Sequence, residues 1–183
     1  MPASFDPKKS AQVAAFFCLK AGGKINVLKL VKLMYLSDRL SMERSGSPVV
    51  YDKFVSMKFG PVVSETYNLI KGETESEQWD DLIVDLEKHT VGLARKLTDD
   101  DSDQLSRFEE RILEEVWATF GDMDRFKLAE LTHKICPEWE DPGDSSKEIP
   151  RERIFKFLKP ETADEMARRL DTEYGLRAAL SRN

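Results

Sequence analysis

Two clusters in the chain have spacings that chemistry could use. Asp99, Asp101 and Asp103 with Glu110 occupy the first, third, fifth and twelfth places of a calcium-binding loop. Such a loop needs glycine at its sixth place for the sharp turn and an apolar residue at its eighth; here these are Gln104 and Ser106. The run therefore reads as acidic residues gathered ahead of a helix N-terminus, where the helix dipole favours them. His133 and Cys136 stand three apart on a predicted helix. One metal ion could reach both, or the imidazole could serve the thiol as a base. A zinc site would need two more ligands, and His89 and Cys18 are the only other histidine and cysteine. Catalysis would need a third group and a cleft. There is no glycine-flanked serine elbow, and Gly22-Gly23 lacks the pattern of a phosphate loop. The expectation is a chain with no catalytic, cofactor-binding or metal-binding residues, which works by gripping another protein.

The elements that would position a binding surface are mostly helical. Residues 7–21 place Ala11, Ala14, Ala15, Cys18 and Leu19 at helical spacing, with Pro7 in the first turn and Gly22-Gly23 at the end. Asn26 can cap a longer helix running to about Arg44. Its polar positions Lys29, Lys32 and Arg39 form only a narrow stripe, which marks it as a central helix buried on several sides. Phe54 to Lys58 favours a short strand. Gly60-Pro61 breaks it, and Pro61 is expected to open the next helix. Between Trp79 and Lys96 two readings stand: a second strand over Val91 to Leu97 pairing with the first, or a helix across 79–88. Ser106 and Glu109 fit a capping box, and Asp124 fits an N-cap. A short helix follows within Ile149–Leu158, and Pro160 opens a last helix, ETADEMARRLDTEYG, with Ala163, Met166, Ala167 and Leu170 inward and fraying expected in the final residues. Met34, Met42 and Met57 could fill a core or lend an adaptable contact surface.

Charge narrows the function. Of 183 residues, 28 are Lys or Arg and 34 Asp or Glu, for a net charge of −6. The first 60 residues carry a net of +6 and the remainder −12. The two parts can attract each other within one fold, or an acidic face can steer a basic partner. A net negative chain is a poor general nucleic-acid binder. The helix, Gly-Gly turn and helix near the start could pass for a DNA-reading motif, but the second helix lacks the exposed polar face that a recognition helix needs. No run of eighteen apolar residues occurs, the opening MPASFDPKKS has no signal-peptide core, and two scattered cysteines make no disulfide framework, so a cytoplasmic chain is expected.

The order of residues then carries a resemblance. LVKLMYLSDRL, Ser-Gly-Ser-Pro and YDKFVSMKFGPVVSETY, followed later by FEERILEEVWATFGDMDRFKLAELTHKICPEW, resemble the Panacea domain, also called the SocA-like antitoxin domain and formerly a phage-associated domain of unknown function. The two segments cover roughly positions 10–140, leaving 141–183 as a C-terminal helical extension of one domain. Met57 stands where the family would carry an aromatic pair. The resemblance implies an antitoxin that neutralises a toxin encoded beside it, by protein–protein contact or as an adaptor to an ATP-dependent protease. A DNA-binding regulator of phage or mobile-element origin is the alternative, and a hydrolase built on His133 and Cys136 a third class. The motif residues carried over as partner-binding are Lys32, Tyr35, Asp38 and Arg39 on the central helix, Asp52, Phe59, Gly60, Pro61 and Val62 at the strand-to-helix corner, and His133 and Trp139. Asp38 and Arg39 are expected to pair with Lys58 or Asp52. The expected fold is mainly α: a single compact helical domain around a buried central helix, with a small two-stranded β element.

Overall fold

A computed structural model describes residues 4–180. Its helices are α1 (Pro7–Lys20), α2 (Val27–Ser45), α3 (Ser64–Ile70), α4 (Glu77–Asp80), α5 (Arg107–Phe120), α6 (Arg125–Ile135), α7 (Arg151–Leu158) and α8 (Ala163–Leu180). Its strands are β1 (Lys24–Asn26), β2 (Phe54–Met57), β3 (Gly60–Val63), β4 (Ile83–Leu86), β5 (Thr90–Leu93) and β6 (Lys147–Glu148). The described chain is mainly α, with two antiparallel sheets ordered β1-β5-β4 and β3-β2-β6.

Local chemistry sets the helix starts. Asp6 accepts from the backbone N–H groups of Lys8 and Lys9, Asn26 from Leu28, and Asp124 from Phe126 and Lys127. Ser106 and Glu109 form the expected reciprocal capping box. Gly46 closes α2 at a φ of +86°, a left-handed conformation that favours glycine. α2 touches α1, α3, α5, α6, α7, β1 and β3, and Leu30, Leu33, Met34 and Met42 on it are completely buried. That surround explains why apolar residues wrap most of its circumference.

Four local expectations are corrected. Pro61 does not open a helix: it lies in β3 opposite Ser56, and α3 begins at Ser64. β3 is an edge strand, where a residue without an N–H is tolerated. The β content exceeds one two-stranded element. Residues 91–93 do form a strand, but it pairs with β4 and β1 rather than with β2. The helix alternative for 79–88 survives only as the short α4, because Ile83–Leu86 is a strand. In α8, Ala163, Ala167 and Leu170 are buried and Met166 is half-buried. The helix runs to Leu180, and the expected fraying falls on 181–183, outside the described residues.

Candidate functional site

The polar residues of α2 form a buried seam. The Tyr35 hydroxyl donates to Glu138 Oε1 at 2.7 Å, and Arg39 Nε donates to the same oxygen at 2.7 Å. Glu138 is 1% exposed, so its charge is answered inside the protein by one phenol and one guanidinium. Burial, and then this carboxylate, push the Tyr35 phenol well above its ordinary pKa. Asp38 Oδ1 accepts from the backbone N–H groups of Val49 and Val50 at 2.8 and 3.0 Å, while Oδ2 has no partner among the described residues. Burial raises its pKa to about 7 against those two bonds. The expected pairing of Asp38 and Arg39 with Lys58 or Asp52 is therefore corrected. Lys58 reaches Asp144 instead.

Asp52 acts as a remote cap. Helix α3 has no side-chain cap of its own at Val63. Asp52 supplies one from the preceding loop, accepting from the N–H groups of Glu65 and Thr66 at 2.8 and 2.9 Å and from the Thr66 hydroxyl at 2.7 Å. Its burial pushes the carboxyl up to about 6, opposed by those bonds.

The β2–β3 hairpin is pinned from beneath. The Lys32 ammonium, on a side chain with no exposed surface, donates to the Pro61 carbonyl at 2.7 Å. Burial lowers its pKa to about 7. Gly60 has a φ of +99°, and a Cβ there would lie 2.5 Å from Thr132 Oγ1, 3.1 Å from Lys32 Nζ and 3.3 Å from His133 Cδ2. Trp139 donates from its indole N–H to the Met57 carbonyl at 2.9 Å and stacks on His133 with ring centres 4.0 Å apart. His133 Nε2 is buried with no partner among the described residues, and burial followed by the nearby Lys32 lowers the imidazole pKa. The hairpin is thus clamped between α2 and α6, and its tip, Phe59, is 55% exposed.

Beside that tip lies a groove of about 310 Å³. Val31, Met57, Val62 and Tyr67 line it, together with Phe59 and Phe126. Phe126, in the first turn of α6, is 57% exposed. The remaining lining includes Lys32, Lys88, His89 and Arg125, and no carboxylate. Lys88 and His89 form the tip of the β4–β5 hairpin with φ values of +64° and +55°. Left-handed conformations in non-glycine residues cost about 1–3 kcal/mol each and persist only where surroundings enforce them. Here the His89 carbonyl accepts from the Val27 N–H at 2.9 Å and from the Asn26 side-chain amide at 3.0 Å.

Of the eleven carried-over residues, Lys32, Tyr35, Asp38, Asp52, Gly60, Pro61 and Val62 are buried, Arg39, His133 and Trp139 are half-buried, and Phe59 is exposed. Two clusters meet: Tyr35 and Arg39 at Glu138, and Lys32, Gly60, Pro61, His133 and Trp139 under the hairpin. Asp38 and Asp52 each hold a separate stretch of backbone. The thiols of Cys18 and Cys136 are buried and pushed up to about 12 by burial, so both are protonated at neutral pH. Asp101 and Asp103 face cations of the protein itself, Arg95 and Lys8. Met34 and Met42 fill the core, whereas Met57 is half-buried and lines the groove. Sequence reasoning missed Glu138, Lys88, Arg125 and Phe126. Only Glu138 left a trace, between Pro137 and Trp139 in the segment that carries the resemblance.

The family model described as antitoxin SocA-like, Panacea domain, matches residues 30–140. That span contains α2 from Leu30 onward, the β2–β3 hairpin, the β4–β5 hairpin, α5, α6 and Trp139. No curated protein and no solved structure matches the chain.

Proposed function

Because the chain belongs to the antitoxin SocA-like Panacea family, we propose that it is the antitoxin of a two-gene system and neutralises the toxin encoded beside it by direct binding. The observation that carries this reading is the family match over 30–140. The side-chain arrangement supports it. Buried polar contacts of Lys32, Glu138 and Trp139 hold α2, the β2–β3 hairpin and the end of α6 together, and the large apolar side chains Phe59 and Phe126 remain on the surface. Exposed aromatics beside a pocket are the usual anchors of protein recognition. The mode of action is binding rather than catalysis. No covalent step is assigned to the buried Cys136 thiol, and the His133 imidazole stacks on Trp139. Among the described residues no helix is long and apolar enough to cross a membrane, and the proposed site of action is the cytoplasm.

Neutralisation can proceed by masking the toxin or by delivering it to an ATP-dependent protease, with this chain as adaptor. Expressing the adjacent open reading frame with and without this chain tests the reading: growth arrest is expected only in its absence. Arrest that persists in its presence, or never occurs, contradicts the assignment. Adding purified chain to purified toxin, with no protease, separates the two modes, since masking silences the toxin under those conditions and delivery does not.

A further inference from the structure

We infer that the groove between α2, the Phe59 hairpin tip and the first turn of α6 docks a short acidic segment of the partner polypeptide that carries an apolar anchor. The identity of the partner as a toxin rests on the function proposed above; the chemistry of the segment does not.

Three features set that chemistry. The interior is apolar and, at about 310 Å³, accommodates one or two side chains rather than a whole helix. Phe59 and Phe126 stand over it from two different elements and leave about half of their surfaces in water. The rim is basic: Lys88 and Arg125 line the groove beside His89, and no acid does, in a chain with 34 acids and a net charge of −6.

Neither Lys88 nor Arg125 forms a close ion pair among the described residues, although Arg125 lies near enough to Asp124 to help hold its carboxyl below the usual range. Among the described residues, most basic side chains of the first third have a carboxylate partner, as in Lys8–Asp103, Lys9–Glu109, Lys20–Glu114, Arg44–Glu115 and Lys53–Glu148. Among the described residues Lys88 has no such partner, and the Arg125 guanidinium lies over the Phe126 ring, 4.7 Å from its centre. Asp124, next to Arg125 in the chain, is committed to capping α6 through Phe126 and Lys127. Beneath them, Lys32 is a buried ammonium whose one acceptor is the Pro61 carbonyl.

The backbone adds an independent observation. Lys88 and His89 both adopt the left-handed region, where glycine or asparagine is the ordinary choice. Bonds from Asn26 and Val27 hold that tip in place. Strain kept in two consecutive charged or titratable residues at the mouth of a groove points to a requirement for their side chains there.

The shape favours a peptide over a nucleic acid. A phosphodiester strand would extend past the groove onto a surface whose net charge repels it. An inserted apolar side chain flanked by one or two carboxylates meets only the basic rim.

The test uses the full chain against short peptides tiling the protein encoded by the adjacent reading frame, with binding read by fluorescence anisotropy at low and high salt. Tiles that bind are expected to be acidic and to contain a large apolar residue, and their affinity should fall as salt rises. The double variant Lys88→Glu with Arg125→Glu should lose about tenfold or more in affinity, equivalent to about 1.4 kcal/mol. Phe126→Ala should weaken the same tiles without changing the salt dependence. All three positions are exposed, so the thermal midpoint should hold. Binding confined to basic or neutral tiles, affinity unchanged in the double variant, a preference for a single-stranded oligonucleotide, or self-association through the groove would each overturn the assignment. If no tile binds while growth rescue persists, the groove assignment fails and the antitoxin reading stands. If the neighbour is harmless, the antitoxin reading fails alone, and the tiles still judge the groove.

Discussion

Glu138 ties two of the motif residues together. Its buried carboxylate takes Tyr35 and Arg39 at once, tying the loop after α6 to α2. Removing one member of a buried ion pair leaves the other charge uncompensated and costs about 3–5 kcal/mol. Arg39 is partly exposed, so Glu138→Ala is expected to cost about 3 kcal/mol, at the low end of that range, measured from urea unfolding midpoints. The buried ionisable groups give a second prediction. Folded Asp38 and Asp52 hold protons more tightly than the unfolded chain, with pKa values raised to about 7 and about 6. The folded state therefore binds more protons between about pH 4 and about pH 7, and stability falls as pH rises through that window. Lys32 is lowered to about 7; above that pH the unfolded state binds more protons, and stability recovers toward the ordinary lysine pKa. These groups together put a stability minimum near neutral pH. In Asp38→Asn the descent on the acid side should be shallower, read as the urea midpoint at a series of pH values. A flat profile in the parent chain would contradict both directions of shift. The contacts of Glu138 were not legible in sequence: it is one of 34 acids, and only the folded chain brings it to Tyr35, 103 residues away.

Helix starts were legible because the information is local. Asn26, Ser106 and Asp124 each cap the helix that follows within three residues, so residue type and spacing suffice. Ser106→Ala should lower stability by about 1 kcal/mol, detectable as a lower thermal midpoint. The sheet pairings and the shortest strands were not legible, for the opposite reason. β1 has three residues and β6 two, too short for alternation to register. The partner of β5 is decided by packing between segments some sixty residues apart in the chain. Pro61 misled because the same ring suits both a first helical turn and an edge strand. What decides between them is Gly60, whose positive φ turns the chain back onto β2 with no room for a Cβ beside Thr132. Gly60→Ala combines a disfavoured backbone with that overlap. It is expected to cost about 2 kcal/mol or more, and to disturb Phe59 and the groove together. Loss of binding should therefore accompany loss of stability in this variant, unlike the exposed Lys88 and Arg125 changes.

At the scale of the molecule, the charge split visible in the sequence resolves into contacts. The ion pairs Lys8–Asp103, Lys9–Glu109, Lys20–Glu114, Arg39–Glu138 and Arg44–Glu115 all join the basic first third to the acidic remainder. Most are exposed, and such pairs contribute about 0–1 kcal/mol each. Raising salt should consequently lower stability only slightly, whereas association through the cationic groove should weaken far more steeply. The groove itself draws on four stretches distant in sequence, around residues 31, 59, 88 and 126, which is why no motif announced it. The proposed function requires this surface to meet a second protein. Calorimetric titration of the full chain with the purified product of the adjacent reading frame measures that meeting directly. Saturable binding that weakens with salt and with the Lys88→Glu, Arg125→Glu double change is the predicted result. No detectable association with a neighbour that nonetheless arrests growth would contradict it.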